Sequence, residues 1–388
     1  MNTTNGLYYT NETKWKSELQ FPCRIARLLE NNIKPDAFFC IDNKPLILFF
    51  ENPNDKNLHK KIWNFNETPI VIIVQNDVVE IFNGFKYEKE LKSLAKIGDD
   101  DKLEYFSYFN LFKDKTWENY QEDFRYENRL DYFLLKNIKS ARNILITKEC
   151  IPAEIANALI GKCIFVRYLI DRKVHLDIKG YLSEWSNNGF CNVLKDISQT
   201  QKFFNYLKDK FNGDDIFSIP NEQYKNISNK DLSVLIRLLQ GDDLEQGQQS
   251  LFNLYDFSII PIEFISNVYE LFIGKDNQEN EGAYYTPLFL VDYILKETIE
   301  KHFKNNSETN NCVTLDPACG SGIFLVETLR KIIDQYQNNN KNKKLTPKIL
   351  NNLVVKNIFG IDKDTNAIQV AIFSIYLTLL DYKEPADI

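Results

Sequence analysis

The residues best placed to do chemistry lie between Val313 and Glu327, in the run Val-Thr-Leu-Asp-Pro-Ala-Cys-Gly-Ser-Gly-Ile-Phe-Leu-Val-Glu. A carboxylate at Asp316, a thiol at Cys319 and glycines at Gly320 and Gly322 share one short turn. The residues before Asp316 read as a short buried strand, which Asp316 and Pro317 break. Gly320 and Gly322 bracket the turn. Ile323 to about Gln335 then carries Phe324, Leu325, Thr328, Leu329 and Ile332 at helical spacing. A strand that feeds a helix through a glycine-rich turn seats a small ligand. The glycines allow close backbone approach, and the helix start offers unpaired N–H groups and a partial positive charge. The dinucleotide fingerprint does not fit, because it needs a third glycine and an acid about twenty residues on. Position 325 is Leu, and the next strand-end acid, Asp362, lies about twice that far away.

Two further segments stand in order around this turn: Gly282-Ala283-Tyr284-Tyr285-Thr286-Pro287 before it and Phe359-Gly360-Ile361-Asp362 after it. With Asp316-Pro317-Ala318-Cys319-Gly320-Ser321-Gly322 between them, the set resembles the S-adenosylmethionine-binding motifs of N6-adenine DNA methyltransferases from restriction–modification systems. The resemblance implies S-adenosyl-L-methionine as cofactor. It implies contacts from Tyr285, Thr286, Asp316, Ala318, Cys319, Gly320, Asp362 and Lys363. In the family, Tyr285 and Thr286 would lie beside the methionine part, and Asp316 near the ammonium group, where a carboxylate offers charge-assisted hydrogen bonds. Asp362, ending a strand read over Lys356 to Ile361, would accept from the ribose hydroxyls. Cys319 is expected as a small wall residue rather than a nucleophile. Apart from the resemblance, Thr286-Pro287 is a helix start. Asp364 reads as the N-terminal acid of a helix over Asn366 to Leu380.

These elements need a larger frame to position them. At 388 residues the chain has room for two or three domains. Its apolar and charged fractions, 44% and 26%, are those of an ordinary soluble globular protein. A net charge of −7 gives no overall pull toward nucleic acid, so any DNA contact needs a local basic surface or a part outside this chain. The seven cysteines lack any Cys-x-x-Cys pair and accompany only three histidines, which argues against zinc and for reduced thiols. No signal peptide opens the chain and no apolar run approaches a membrane span, so a cytoplasmic protein is expected.

Near the start, Ala37–Ile41 and Leu46–Phe50 read as strands around a turn, as do Ile70–Val74 and Val78–Phe82. A Lys-rich helical stretch, Asn57 to Asn64, separates the two hairpins. The order resembles the core of the PD-(D/E)xK nuclease fold, with Lys34-Pro35-Asp36 matching the first half of its motif. The second half, an acid and a lysine that together serve Mg²⁺-dependent hydrolysis, is not met by Phe50-Glu51-Asn52-Pro53. Lys56, His59, Lys60 and Lys61 form a small basic run. The stretch from Tyr87 to Lys115 reads as irregular. A stripe of Leu130, Leu134, Ile138, Ala141 and Leu145 then marks a core helix. Helical periodicity continues through Ala153–Ile170, Asp196–Phe211, Asn229–Leu239 and Pro261–Phe272. This part, with Phe211-Asn212-Gly213-Asp214 and Asp256 to Pro261, is similar to the helical domain of Type I modification subunits and Type IIG enzymes.

The expected architecture is therefore a multidomain α/β chain. A degenerate nuclease-like α+β domain spans 1–118, a helical domain 119–281, and the first part of a Rossmann-like class I methyltransferase domain, with an incomplete sheet, 282–388. The family also needs an (Asn/Asp/Ser)-Pro-Pro-(Tyr/Phe) segment to grip a flipped adenine. No two prolines are adjacent anywhere here. No catalytic residue and no metal ligand is therefore assigned. Double-stranded DNA and a segment or subunit completing the methyltransferase domain are the expected partners. The alternatives are a non-catalytic scaffold built on a relic fold, or a Mg²⁺-dependent nuclease working from the N-terminal domain.

Overall fold

The computed structural model describes residues 6–19, 21, 23–211, 219–250, 253–273, 286, 288–341 and 343–382. Gly282 to Tyr285, Pro287 and Asn212 to Asp214 lie outside the described residues. The chain divides into two compact units, Met1–Lys136 with Leu254–Ile260, and Asn137–Asn253 with Pro261–Ile388.

The first unit is built on a six-stranded sheet in sequence order: β1 (Leu7–Tyr9), β2 (Ala37–Ile41), β3 (Lys44–Glu51), β4 (Ile70–Gln75), β5 (Val78–Glu88) and β6 (Ser93–Asp99). Two-residue turns, Asp42-Asn43 and Asn76-Asp77, close the β2–β3 and β4–β5 hairpins. All four turn residues have positive φ, between 49° and 64°. Asn and Asp tolerate that conformation best among residues with a side chain, and it matches the twist of the flanking strands. β3 and β4 pair in parallel, which requires a crossover, and the helix α1 (Leu58–Phe65) supplies it. The sheet is covered on both faces. Phe39, Ile47, Ile70, Ile72, Ile81 and Ile97 pack with Phe106 and Leu111 on one side. On the other, Phe38 meets the buried Trp15 edge-on at 5.5 Å.

Two hairpins around a helix are thus observed as the pattern reads. The sixth strand escaped that pattern because register shifts in the β5–β6 pairing break the two-residue alternation. The basic run is also less than it reads. His59 accepts the Leu94 amide at 3.2 Å and packs on Phe82, and burial lowers its pKa. Lys61 is bonded to Asp55 at 2.6 Å. Neither is a free cation on an exposed helix face.

The second unit is mostly helical. The boundary falls within α2 (Leu130–Asn143), so Leu130 and Leu134 belong to the first unit and Ile138 and Ala141 to the second; all four, and Leu145 just past the helix, are buried. α3 (Ala153–Asp171) is apolar nearly all round and, apart from Asn157 and Lys162, buried from Ile155 to Ile170. α4 (Ile197–Lys210) follows, then α5 (Asn229–Gln240), which opens on a capping box between Ser228 and Asp231. α6 (Phe264–Ile273) packs against the last helix described, α10 (Thr365–Asp381). Between them come α7 (Leu288–Leu295), β7 (Thr314–Asp316), α8 (Ile323–Asn339), α9 (Pro347–Asn357) and β8 (Ile358–Gly360). Val291 and Leu295 of α7, Leu329, Ile332 and Ile333 of α8, and Leu350 of α9 form one core cluster.

β7 and β8 form a two-stranded parallel sheet, Leu315 opposite Phe359. The expectation of a buried first strand is corrected here. Val313, Leu315, Phe359 and Ile361 are 71%, 56%, 47% and 57% exposed. One face of the pair packs on α8 and α9; the apolar alternate positions face outward. The second strand also begins later than Lys356, because α9, capped by Thr346 and started by Pro347, continues through Asn357. The buried Asn357 side chain accepts the Cys312 amide and donates to the Leu353 carbonyl, both at 2.8 Å. One residue thereby ends a helix and sets the level of β7. Among the described residues, no helix is long and apolar enough to cross a membrane.

Candidate cofactor site

The two turns that follow β7 and β8 lie at the carboxyl end of a parallel pair, the place where α/β sheets hold ligands. Backbone hydrogen bonds zip them together: Ile361 N–H donates to the Asp316 carbonyl and Cys319 N–H to the Ile361 carbonyl, each at 2.9 Å. The Asp362 carboxylate completes the clasp. Its Oδ2 accepts the Gly320 amide at 2.8 Å and its Oδ1 the Asp364 amide at 2.9 Å. A carboxylate has about four acceptor positions, so two bonds leave lone pairs for another donor. The Asp316 carboxylate accepts the Ala318 amide at 3.1 Å and likewise keeps capacity. It therefore caps the turn, while the helix itself starts at Gly322.

The glycines have different jobs. Gly322 has φ +89°, and a Cβ there would sit 2.7 Å from the Ala371 Cβ, so it is needed for contact with α10. A Cβ on Gly360 would come 2.7 Å from Leu325 and 3.0 Å from the Cys319 sulfur. Gly320 has φ +51°, and a Cβ there would meet nothing within 4 Å. Open space therefore lies beside Gly320, whose amide is one of the two that the Asp362 carboxylate accepts.

Cys319 is buried. Burial, with the Asp316 and Asp362 charges adding to it, pushes its thiol up to about 11. The thiol is neutral at physiological pH and is not an activated nucleophile. Ala318 and Lys363 are exposed on the two turns. Thr286 is half-buried just before α7, and Tyr285 lies outside the described residues. The turns thus bring Asp316, Ala318, Cys319, Gly320, Asp362 and Lys363 together.

Of the groups that brace the clasp from behind, sequence reading singles out only Asp364, as the acid that opens a helix. Asp364 caps α10, its Oδ1 accepting the Asn366 amide at 2.9 Å, and its Oδ2 accepts the hydroxyl of buried Tyr269 on α6. Arg330 of α8 is buried and donates to both Glu263, just before α6, and Glu327. Its other terminal nitrogen is 3.9 Å from Asp381 of α10, which also pairs with Arg172, the residue that follows α3. Burial, together with repulsion from Glu263 and Asp292 and against the pull of Arg330, raises Glu327 to about 7. The Glu327–Arg330 spacing was legible as a helical ion pair; nothing local marked Tyr269 or Glu263.

Residues 261–386 match the N-6 DNA Methylase family model. Over 157 residues the chain is 29% identical to the type II restriction enzyme and methyltransferase RM.Eco57I of Escherichia coli, covering 33% of this chain and 16% of that protein. The chain thus spans only a small part of that relative's length. The cryoEM structure of a DrdV–DNA complex aligns over 91% of this chain and 34% of that one, at 13% identity and a TM-score of 0.31. That score is too low to carry weight. The family match begins at Pro261, ahead of α6, so it takes in the bracing helix as well as both turns. Over its last third the chain thus matches the N-6 DNA Methylase family model, and part of it is similar to a restriction enzyme and methyltransferase of a restriction–modification system.

Proposed function

We propose that this chain is the cofactor-holding part of an adenine-specific DNA methyltransferase that uses S-adenosyl-L-methionine, in a restriction–modification or phage-defence setting. The observation that carries the reading is the clasp of Asp362 on the Gly320 amide, with open space in front of Gly320 and a second carboxylate, Asp316, alongside. The donor set fits the cofactor. Asp316 offers a carboxylate for the ammonium group and Asp362 offers lone pairs for ribose hydroxyls. Cys319 forms a neutral wall; Thr286, Ala318 and Lys363 are assigned as further cofactor contacts, and Tyr285 is assigned with them by the motif alone. When bound, the cofactor supplies the methyl group.

The grip on the target adenine comes from an Asn-Pro-Pro-Tyr-like segment that this sequence does not contain, in a partner subunit or a further segment. The exposed apolar face of β7 and β8 supports that reading, because apolar sheet faces and open strand edges are ordinarily covered. In this scheme 282–388 forms the start of a Rossmann-like domain, 119–281 a helical domain, and 1–118 a nuclease-like fold. Asp36 and Glu51 meet at one end of the N-terminal sheet, where Glu51 N–H donates to the Asp36 carboxylate at 2.8 Å. Pro53 stands where the nuclease motif wants lysine, and Lys61 is engaged by Asp55. That domain is read as catalytically silent.

Calorimetry tests the cofactor assignment. Asp362→Ala should weaken S-adenosylmethionine binding by about 1.5–3 kcal/mol, the scale of hydrogen bonds to a charged group. Unchanged affinity in a folded variant would remove Asp362 from the site.

A further inference from the structure

The Asp362 carboxylate is oriented by two amides, and one of them belongs to a residue that is itself held. Asp364 is gripped from two sides, by the Asn366 amide at the start of α10 and by the Tyr269 hydroxyl from α6. Its own N–H, donating to Asp362 Oδ1 at 2.9 Å, cannot shift unless one of those bonds gives way. Tyr269 delivers its hydroxyl from a buried ring on α6. The same stretch is anchored a second time, because Glu263 bonds Arg330 of α8. α6 is therefore fastened to each of the two helices that leave the two turns.

We propose that Tyr269 is a positioning residue of the cofactor loop: through Asp364 it holds the Asp362 carboxylate in the orientation that receives the Gly320 amide. The proposal rests on the reading of Asp362 as a cofactor contact. Tyr269 touches no ligand in this scheme. It removes conformations of the 361–364 turn that would otherwise have to be frozen out on binding, and that lost freedom is what weakens a loosely held site.

Two measurements on the full chain decide it. Tyr269→Phe keeps the ring and deletes the hydroxyl. In the cofactor-free protein, amide exchange of the Asp364 and Gly320 segments should accelerate by at least about tenfold, the effect of losing one hydrogen bond to a charged group. Asp364→Asn, which keeps a helix cap but weakens the Tyr269 bond, should give the same signature. Unchanged protection in both segments of folded variants overturns the relay. In calorimetry, Tyr269→Phe should weaken S-adenosylmethionine binding about tenfold in the native background and leave it unchanged when Asp362→Ala is already present. An equal penalty in both backgrounds overturns the route through Asp362. If the native chain takes up no cofactor, the cofactor reading fails, while amide exchange still decides the relay.

Discussion

Arg330→Met should be the costliest single change among the helices behind the turns, and its cost should depend on pH. The guanidinium is buried and bonds Glu263 and Glu327, while Asp381 retains Arg172 when Arg330 is lost. Removing one partner of a buried ion pair leaves charge without compensation and costs about 3–5 kcal/mol. Glu327 adds the pH term. Its carboxyl, raised from 4.5 to about 7, binds a proton more tightly in the folded state than in the unfolded chain. That contribution to stability is complete below about pH 4.5 and is lost as pH rises through about 7. A shift of that size corresponds to about 3 kcal/mol at most. Taking Arg330 away also removes the cation that lowers Glu327, so protonation becomes more favourable still. The full penalty is therefore expected at about pH 8, falling to about 1–2 kcal/mol near pH 5.5, where Glu327 is largely neutral. Urea unfolding followed by far-UV circular dichroism at both pH values reads this out. Adding Glu327→Gln to Arg330→Met should recover part of the loss at the higher pH. A penalty under about 1 kcal/mol at pH 8, or one independent of pH, would refute the account.

The glycines of the first turn should separate binding from stability. Gly322→Ala meets Ala371 and carries a strained φ, so thermal unfolding should show a loss of about 2–4 kcal/mol. Gly320→Ala has open space, so its stability cost should stay near the 1–2 kcal/mol of a left-handed residue, while calorimetry shows a clear loss of S-adenosylmethionine affinity. The opposite ordering would mean that the two roles have been exchanged. Labelled cofactor should deliver no methyl group to unmethylated DNA through this chain by itself, and co-expression with a segment bearing an Asn-Pro-Pro-Tyr motif should restore transfer; N6-methyladenine made by the chain unaided would show the adenine grip to lie within it. Mg²⁺-dependent DNA cleavage should be absent from the purified chain, and cutting abolished by Asp36→Ala would establish a working nuclease.

Local chemistry carried much of this protein in its sequence. The Asp42-Asn43 and Asn76-Asp77 turns, the stripe from Leu130 to Leu145 and the glycine-rich turn at 316–322 each follow from what a few adjacent residues can do. So does the acid Asp364 at the head of α10. Such features depend on backbone geometry and on neighbours within one helical turn or one hairpin. What adjacent residues do not specify, only the tertiary structure decided. The β5–β6 pairing is irregular, so its strand left no clean alternation. The level at which β8 begins is set by Asn357 reaching Cys312 across the chain. Whether Gly320 or Gly322 faces open space depends on where α10 packs. Tyr269 and Arg330 on their helices, and Glu263 just before α6, are ordinary residues until folding places them behind the two turns. Their roles come from partners far away in sequence, and burial turns those contacts into strong ones, because charges taken out of water must find each other.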